Sequence, residues 1–274
     1  MPSQVKATLT KEKETLFITL LAKALHYHSA HSILNDAKAD EITKQVDYDF
    51  RKLRSANDGG IGVVRARHID EWVRQFLSIR PNAVVVHLGC GLDARVVRIN
   101  PPSSVAWFDV DFPDVIQLRK HFFSNSESYS MIESSITIPE WLEAIPSNRP
   151  TLIVAEGVLE YLTEEEVRQL LNRLLNHFAE GEMIFDVMNS LAVKVGSRDI
   201  TQSTGAVPKW GVEDIAEIAK LNPKLRLSES VALMRSGLVR RLPFLYRIFY
   251  FVASPVPKIR NMLRLLRYQF LGGE

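Results

Sequence analysis

The 274-residue chain predicts a doubly wound α/β architecture, a mostly parallel seven-stranded sheet preceded by helices and interrupted by a helical lid insertion near its end. Three observations carry that prediction. Residues Ala83 to Leu88 form an unbroken apolar run, the pattern of a strand buried on both faces. After it, short apolar runs alternate with segments of helical period, which calls for parallel strands joined by helical crossovers. The first run also passes directly into the turn Gly89-Cys90-Gly91-Leu92-Asp93-Ala94-Arg95, at the strand end where open α/β sheets bind ligands.

The elements follow in order. Leu16, Leu20, Leu21 and Leu25 recur at helical spacing within 8–30, and a second helix fits 35–46. The glycine-rich break Asn57-Asp58-Gly59-Gly60-Ile61-Gly62 separates these from a third helix over 63–79, which Pro81 ends. Beyond the first strand come strand 105–110, helix 113–123, strand 129–134, a helical turn at 139–144, strand 151–155, helix 163–178 and strand 182–188. Thr163 with Glu166 forms a capping box that satisfies orphan donors where the helix at 163 starts. Strands over 225–233 and 268–271 complete the sheet, with basic amphipathic helices between them.

Composition narrows the function. A hydrophobic share of 46% supplies a large core, and a net charge of +2 is no global polycation for a nucleic-acid backbone. Basic residues do gather at the end, where eight Arg or Lys follow Val231 against the single acid Glu274. Amphipathic helices with solvated arginines account for that asymmetry, in preference to a nucleic-acid or anionic-membrane surface. The only cysteine, Cys90, excludes an intramolecular disulfide and a cysteine-rich metal site, which suits a reducing cytoplasm. The stretch from Leu242 to Ala253 is too short and too interrupted, by Pro243 and Arg247, to span a bilayer of roughly 20 helical residues.

Glycine at the turn lets the backbone bend sharply and approach a ligand without an intervening Cβ. Asp111 lies twenty positions after Gly91 at the end of the second strand, where a carboxylate accepts both ribose hydroxyls; Asp109 competes for the role. Turn and acid together point to an adenosine-type ligand and leave NAD and S-adenosylmethionine both open.

The wider chain decides between them. Arg65, His68-Ile69-Asp70, the segment 88–95, Phe108-Asp109-Val110-Asp111-Phe112-Pro113 and Ala155-Glu156-Gly157-Val158-Leu159-Glu160-Tyr161-Leu162 occur in that order. So do Ser32-Ile33-Leu34-Asn35-Asp36, Asp47-Tyr48-Asp49-Phe50 and Leu242-Pro243-Phe244-Leu245-Tyr246-Arg247. This ordered set resembles the leucine carboxyl methyltransferase superfamily, in particular its bacterial branch of tetracenomycin-type polyketide O-methyltransferases, along nearly the whole chain.

The resemblance implies a Rossmann-like methyltransferase fold and an enzyme that uses S-adenosyl-L-methionine. It implies one domain over 1–274, with a helical cap at 1–80, a cofactor-binding core at 81–190, and a substrate lid with the final strands at 191–274. Arg65 matches an arginine that holds the methionine carboxylate, Gly89 and Gly91 the cofactor turn, Asp111 the ribose acid, and Glu156 an acid beside the cofactor. Lys23 matches a further basic residue near the carboxylate. Ser135-Ile136 stands where related chains often carry Asp-Leu against adenine, a departure that leaves a hydroxyl in place of a carboxylate.

Methyl transfer from a sulfonium needs alignment and exclusion of water, and no metal. A carboxylate acceptor is already ionised, whereas a phenol benefits from a base, for which His68 and Tyr161 are the candidates. His87 and Cys90 read as core residues. The expected acceptor is a small molecule, its pocket formed by Tyr161 and Trp210 under a lid of the N-terminal helices and the helices at 235–264. The competing functions are a protein C-terminal leucine carboxyl methyltransferase, a nicotinamide-dependent oxidoreductase and a non-catalytic adenosyl-ligand sensor.

Overall fold

In the computed structural model, which describes residues 4–53 and 60–271, the predicted alternation is realised. Of the glycine-rich break, Asn57, Asp58 and Gly59 lie outside the described residues. The chain begins with β1 (Val5–Lys6), α1 (Leu16–Tyr27), α2 (Ala37–Gln45), β2 (Val46–Asp47) and the nineteen-residue α3 (Ile61–Ile79). The core continues with β3 (Val84–Leu88), α4 (Arg95–Ile99), β4 (Ala106–Asp111), α5 (Pro113–Arg119), β5 (Tyr129–Glu133), β6 (Thr151–Ala155), α6 (Glu164–His177) and β7 (Glu180–Met188). It closes with α7 (Ser190–Thr204), α8 (Ala216–Leu221), β8 (Leu225–Ala232), α9 (Phe244–Ala253), α10 (Pro257–Arg260) and β9 (Leu263–Leu271).

The sheet runs β5-β4-β3-β6-β7-β9-β8, with β5 to β7 parallel and β9 antiparallel to both of its neighbours. Chain direction across the sheet reverses between β3 and β6, so the ligand crevice belongs beyond their carboxyl ends. Register fixes what meets there. Leu88 pairs with Val110 on one side and Ala155 on the other, and Ala155 pairs with Phe185. The next residue on each strand, Gly89, Asp111, Glu156 and Asp186, therefore comes to one edge in a row.

Both faces are covered because strand side chains alternate between two cores. Val85, Trp107, Leu152 and Ile184 pack with α3, whose Val63, Ile69, Val73 and Phe76 recur at helical spacing. Val84, Val86, Ile153 and Phe185 pack instead with α6 through Val167, Leu170, Leu171, Leu174 and Leu175. The capping box of α6 is present, with the Thr163 side chain accepting from the Glu166 N–H and the Glu166 carboxylate accepting from the Thr163 N–H.

The last strand departs from expectation, since it begins at Leu263 and not at 268. Arg264 and Arg267 conceal it in the sequence by breaking the apolar alternation. Both have strand partners, Arg264 donating to Ser230 Oγ at 2.7 Å and Arg267 pairing with Glu182 at 2.6 Å.

Asp109 is wholly buried on β4 and is consumed by structure. It accepts from Trp107 Nε1 at 2.8 Å and Tyr129 Oη at 2.7 Å, and pairs with the equally buried Arg119 of α5. Burial opposes its ionisation, but Arg119 overrides that and the carboxyl sits at about 2. Arg119 Nη1 also donates to the carbonyl of Gly91 at 3.0 Å, which links this cluster to the glycine turn. Replacing Arg119 by Met leaves a buried carboxylate without its cation, so urea denaturation at neutral pH is expected to show a loss of roughly 3–5 kcal/mol. A loss within 1 kcal/mol, of the order of a surface pair, would contradict this account.

Candidate active site

The carboxyl edge of the sheet opens into a cavity of about 340 Å³. Its wall includes Gly89, Gly91, Asp111, Ser135, Ile136, Glu156 and Tyr161, seven of the residues singled out from the sequence. Gly89 and Gly91 have φ of +59° and +50°, a left-handed conformation that penalises any residue with a Cβ. At Gly89 a Cβ would also come within 2.4 Å of Val158 Cγ2.

Asp111 locks this turn to β4. Its Oδ2 accepts from the Gly91 N–H and its Oδ1 from the Phe112 N–H, both at 2.8 Å. Burial nonetheless dominates and raises its carboxyl to about 6. Each oxygen keeps a lone pair, which is the acceptor set a vicinal diol requires.

Glu156 is held the other way. Burial opposes its charge, yet Lys23, Arg65 and Arg95 overcome that and keep it well below the usual carboxylate range. Arg65 Nε donates to Glu156 Oε1 at 3.0 Å, and Arg95 Nη2 donates to the other oxygen. Arg65 therefore stands one layer behind the wall, with Nη1 donating to Asp186 at 2.8 Å. Lys23 is likewise set back, 3.2 Å from Asp93.

Tyr161 lines the cavity, but burial, followed by the neighbouring Glu160, pushes its phenol above the ordinary range. A phenol so raised is protonated at neutral pH, which speaks against the base expected there for a phenol acceptor. His68 is a clearer correction: it does not line the cavity, and its ring nitrogen bonds Ser236 Oγ at 2.6 Å beside Trp72. Trp210 is also absent from the wall, its side chain packed in the core with residues of α6 and its backbone N–H donating to the Glu160 carbonyl at 3.1 Å. The expected lid is divided. Glu12, Lys13 and Thr15 in the 3-10 turn before α1, with Leu16 and Thr19 of α1, line the cavity together with Val207 and Lys209, while no residue of α9 or α10 reaches it.

Two buried acids went unnoticed in the sequence. Asp186 on β7 accepts from Arg65 and, at 2.8 Å, from the Gly157 N–H. Glu160 is raised to about 8 by burial and by Asp186. An acid closing the apolar run Met183-Ile184-Phe185 is a visible signal, because a carboxylate in a buried strand needs a cation.

Comparison with known proteins agrees with this geometry. Residues 3–175 match the family model described as leucine carboxyl methyltransferase. The chain is 37% identical to the tetracenomycin polyketide synthesis O-methyltransferase TcmP of Streptomyces glaucescens over 96% of its own length and 98% of the relative's. It is 32% identical to the S-adenosyl-L-methionine-dependent methyltransferase dpfgK of Gibberella zeae over 82% and 83% of the two chains. Among solved structures, the N-methyltransferase NodS of Bradyrhizobium japonicum WM9 in complex with S-adenosyl-L-homocysteine shares the fold. Its TM-score is 0.52 at 16% identity, over 86% of this chain and 99% of that one. The nicotinamide-dependent alternative finds no support in these relatives. The chain belongs to the leucine carboxyl methyltransferase family and is an S-adenosyl-L-methionine-dependent O-methyltransferase.

Proposed function

We propose that the chain methylates an oxygen of a small, polyketide-like metabolite, with a carboxylate as the preferred acceptor. The observation that carries the proposal is the composition of the cavity wall. Besides Gly89, Gly91 and Asp111 it offers Tyr161, Thr15, Lys13 and Lys209, with the carboxylates Glu12 and Glu166, and no histidine. A carboxylate is ionised without help and meets Lys209 and Lys13, the latter shared with Asp114, whereas a phenol would find no imidazole base there. The name of the relative TcmP, which refers to polyketide synthesis, supports the metabolite class.

In this reading Asp111 receives the ribose hydroxyls, and the turn at Gly89 and Gly91 lets the cofactor lie against backbone. Ser135 and Ile136 flank the adenine, with Ser135 Oγ already 2.7 Å from Thr137 Oγ1 and fixed in direction. Arg65, backed by Lys23, attracts the methionine carboxylate, and Glu156 faces its ammonium. The bound cofactor supplies an electrophilic methyl on a sulfonium. The protein contributes alignment, with Tyr161 and Lys209 orienting the acceptor oxygen and Leu16, Leu162 and Val207 excluding water.

Residues 1–80 act as cap, 81–190 as cofactor core, and 191–274 add the acceptor side and complete the sheet, all as one domain. A cytoplasmic location is supported by the single cysteine, buried Cys90, whose thiol burial pushes well up and so makes inert.

Incubation with methyl-labelled cofactor and a panel of aromatic carboxylic acids and phenols is expected to label carboxylic acids. Label in a protein band would instead assign a C-terminal leucine substrate, and binding of the cofactor with no S-adenosylhomocysteine formed with any acceptor in the panel would favour a sensor. Tyr161→Phe should lower kcat/KM for the acceptor by roughly tenfold, the loss of one charge-assisted hydrogen bond, while His68→Ala leaves it unchanged. Affinity for the cofactor should also fall with pH. Asp111 must be ionised to accept two hydroxyls, so binding is full above about 6 and weakens as pH falls below it. One protonation predicts about tenfold weaker binding at pH 5 than at pH 7, a slope that Asp111→Asn removes. Equal affinity at both pH values would contradict the role given to Asp111.

A further inference from the structure

The amphipathic helix α9 is turned opposite to the usual sense. Phe244, Leu245, Ile248, Phe249, Phe251 and Val252 are 45–80% exposed. At 100° per residue they form one unbroken arc of roughly 160°, while Tyr250 and Tyr246 point toward the body of the protein. The sequence reading put the apolar face inward and the arginines in solvent. The structure exposes the apolar face as well.

Beside this arc lies a groove of about 400 Å³ between residues 234–240 and α9, lined by Arg235, Arg240 and Arg247 together with Phe244, Ile248 and Phe251. Its lining includes no acid, and among the described residues none of the three arginines has a carboxylate partner within salt-bridge distance. Lys258 and Arg264, farther along, do have acids in reach, namely Glu213 and Asp214. The unneutralised charge is therefore concentrated where the apolar arc is.

We propose that α9 and its groove dock this enzyme on the surface of an anionic phospholipid bilayer. Guanidinium groups suit phosphate oxygens through paired N–H donors, and the aromatic and aliphatic arc suits the upper acyl region. The attachment is peripheral, because no helix among the described residues is long and apolar enough to cross a membrane. A second copy fits less well, since a two-fold contact on this face would bring the arginine clusters of both copies together. Nor is the helix a cover for the active site, for none of its residues lines that cavity.

The test is flotation of the full chain with vesicles of phosphatidylcholine alone and of phosphatidylcholine mixed with phosphatidylglycerol, at low and high salt. Binding is expected only to the mixed vesicles and only at low salt. It should weaken about fivefold for each of Arg235→Gln, Arg240→Gln and Arg247→Gln. The exposed pair Leu245→Ser/Phe251→Ser should abolish it and leave titration with S-adenosylhomocysteine unchanged, which verifies the fold. No binding to the mixed vesicles, or equal binding to both, overturns the proposal. So does self-association in sedimentation velocity that the serine pair abolishes, which would give the face to a second copy.

Discussion

Everything at this site depends on keeping a buried carboxylate charged. Glu156 sits at the carboxyl end of β6 with Arg65 on one oxygen and Arg95 on the other. Neither cation is free to drift. Arg95, itself fully buried, pairs with Asp70 at 2.9 Å and Asp93 at 2.9 Å, and Arg98 reaches Asp70, Asp93 and Asp36. Ions taken out of water cost several kcal/mol each unless paired in good geometry, so the lattice is acceptable only as a whole. Its members come from α1, the cap of α2, α3, the turn after β3, α4, and the ends of β6 and β7. The ion pairs thereby tie the N-terminal helices to the carboxyl edge of the sheet.

The lattice also separates the behaviour of carboxylates that stand side by side. Glu156, among cations, is held ionised, while Asp111 has mainly backbone donors and is pushed up to about 6. Glu160, which has Asp186 close by as well as Arg65, rises to about 8. One end of the cavity thus carries a fixed charge and the other a charge that ligand binding and pH can alter. Opposed shifts within one crevice are characteristic of sites that handle charged ligands.

How much was legible in advance follows from the range of each interaction. The run Val84 to Leu88, the glycines after it and the acid ending β4 are local patterns, and parallel register brings Gly89, Asp111 and Glu156 level. The partner of Arg65 was not legible, because Asp186 is 121 residues away and no periodicity records an ion pair. Tyr161 and Trp210 look alike as aromatic residues after strand ends, yet one faces the cavity and the other the core. The family likeness located Arg65 and Glu156 but not their mutual contact, which places Arg65 behind the wall. Hydrophobic period gave α9 its stripe without saying which way the stripe faces, since that depends on the tertiary surface left over once β8 and β9 have closed the sheet.

The central claim is that the Glu156 lattice holds the cofactor end of the site in working order. Isothermal titration of S-adenosylhomocysteine and of NAD into the wild-type chain and Glu156→Gln, with circular dichroism to confirm that both are folded, tests it directly. The account predicts that the wild type binds S-adenosylhomocysteine and not NAD, and that Glu156→Gln binds it at least about tenfold more weakly, the scale of losing a charge-assisted contact. A folded Glu156→Gln chain with undiminished affinity, or a wild type that binds NAD, would contradict it.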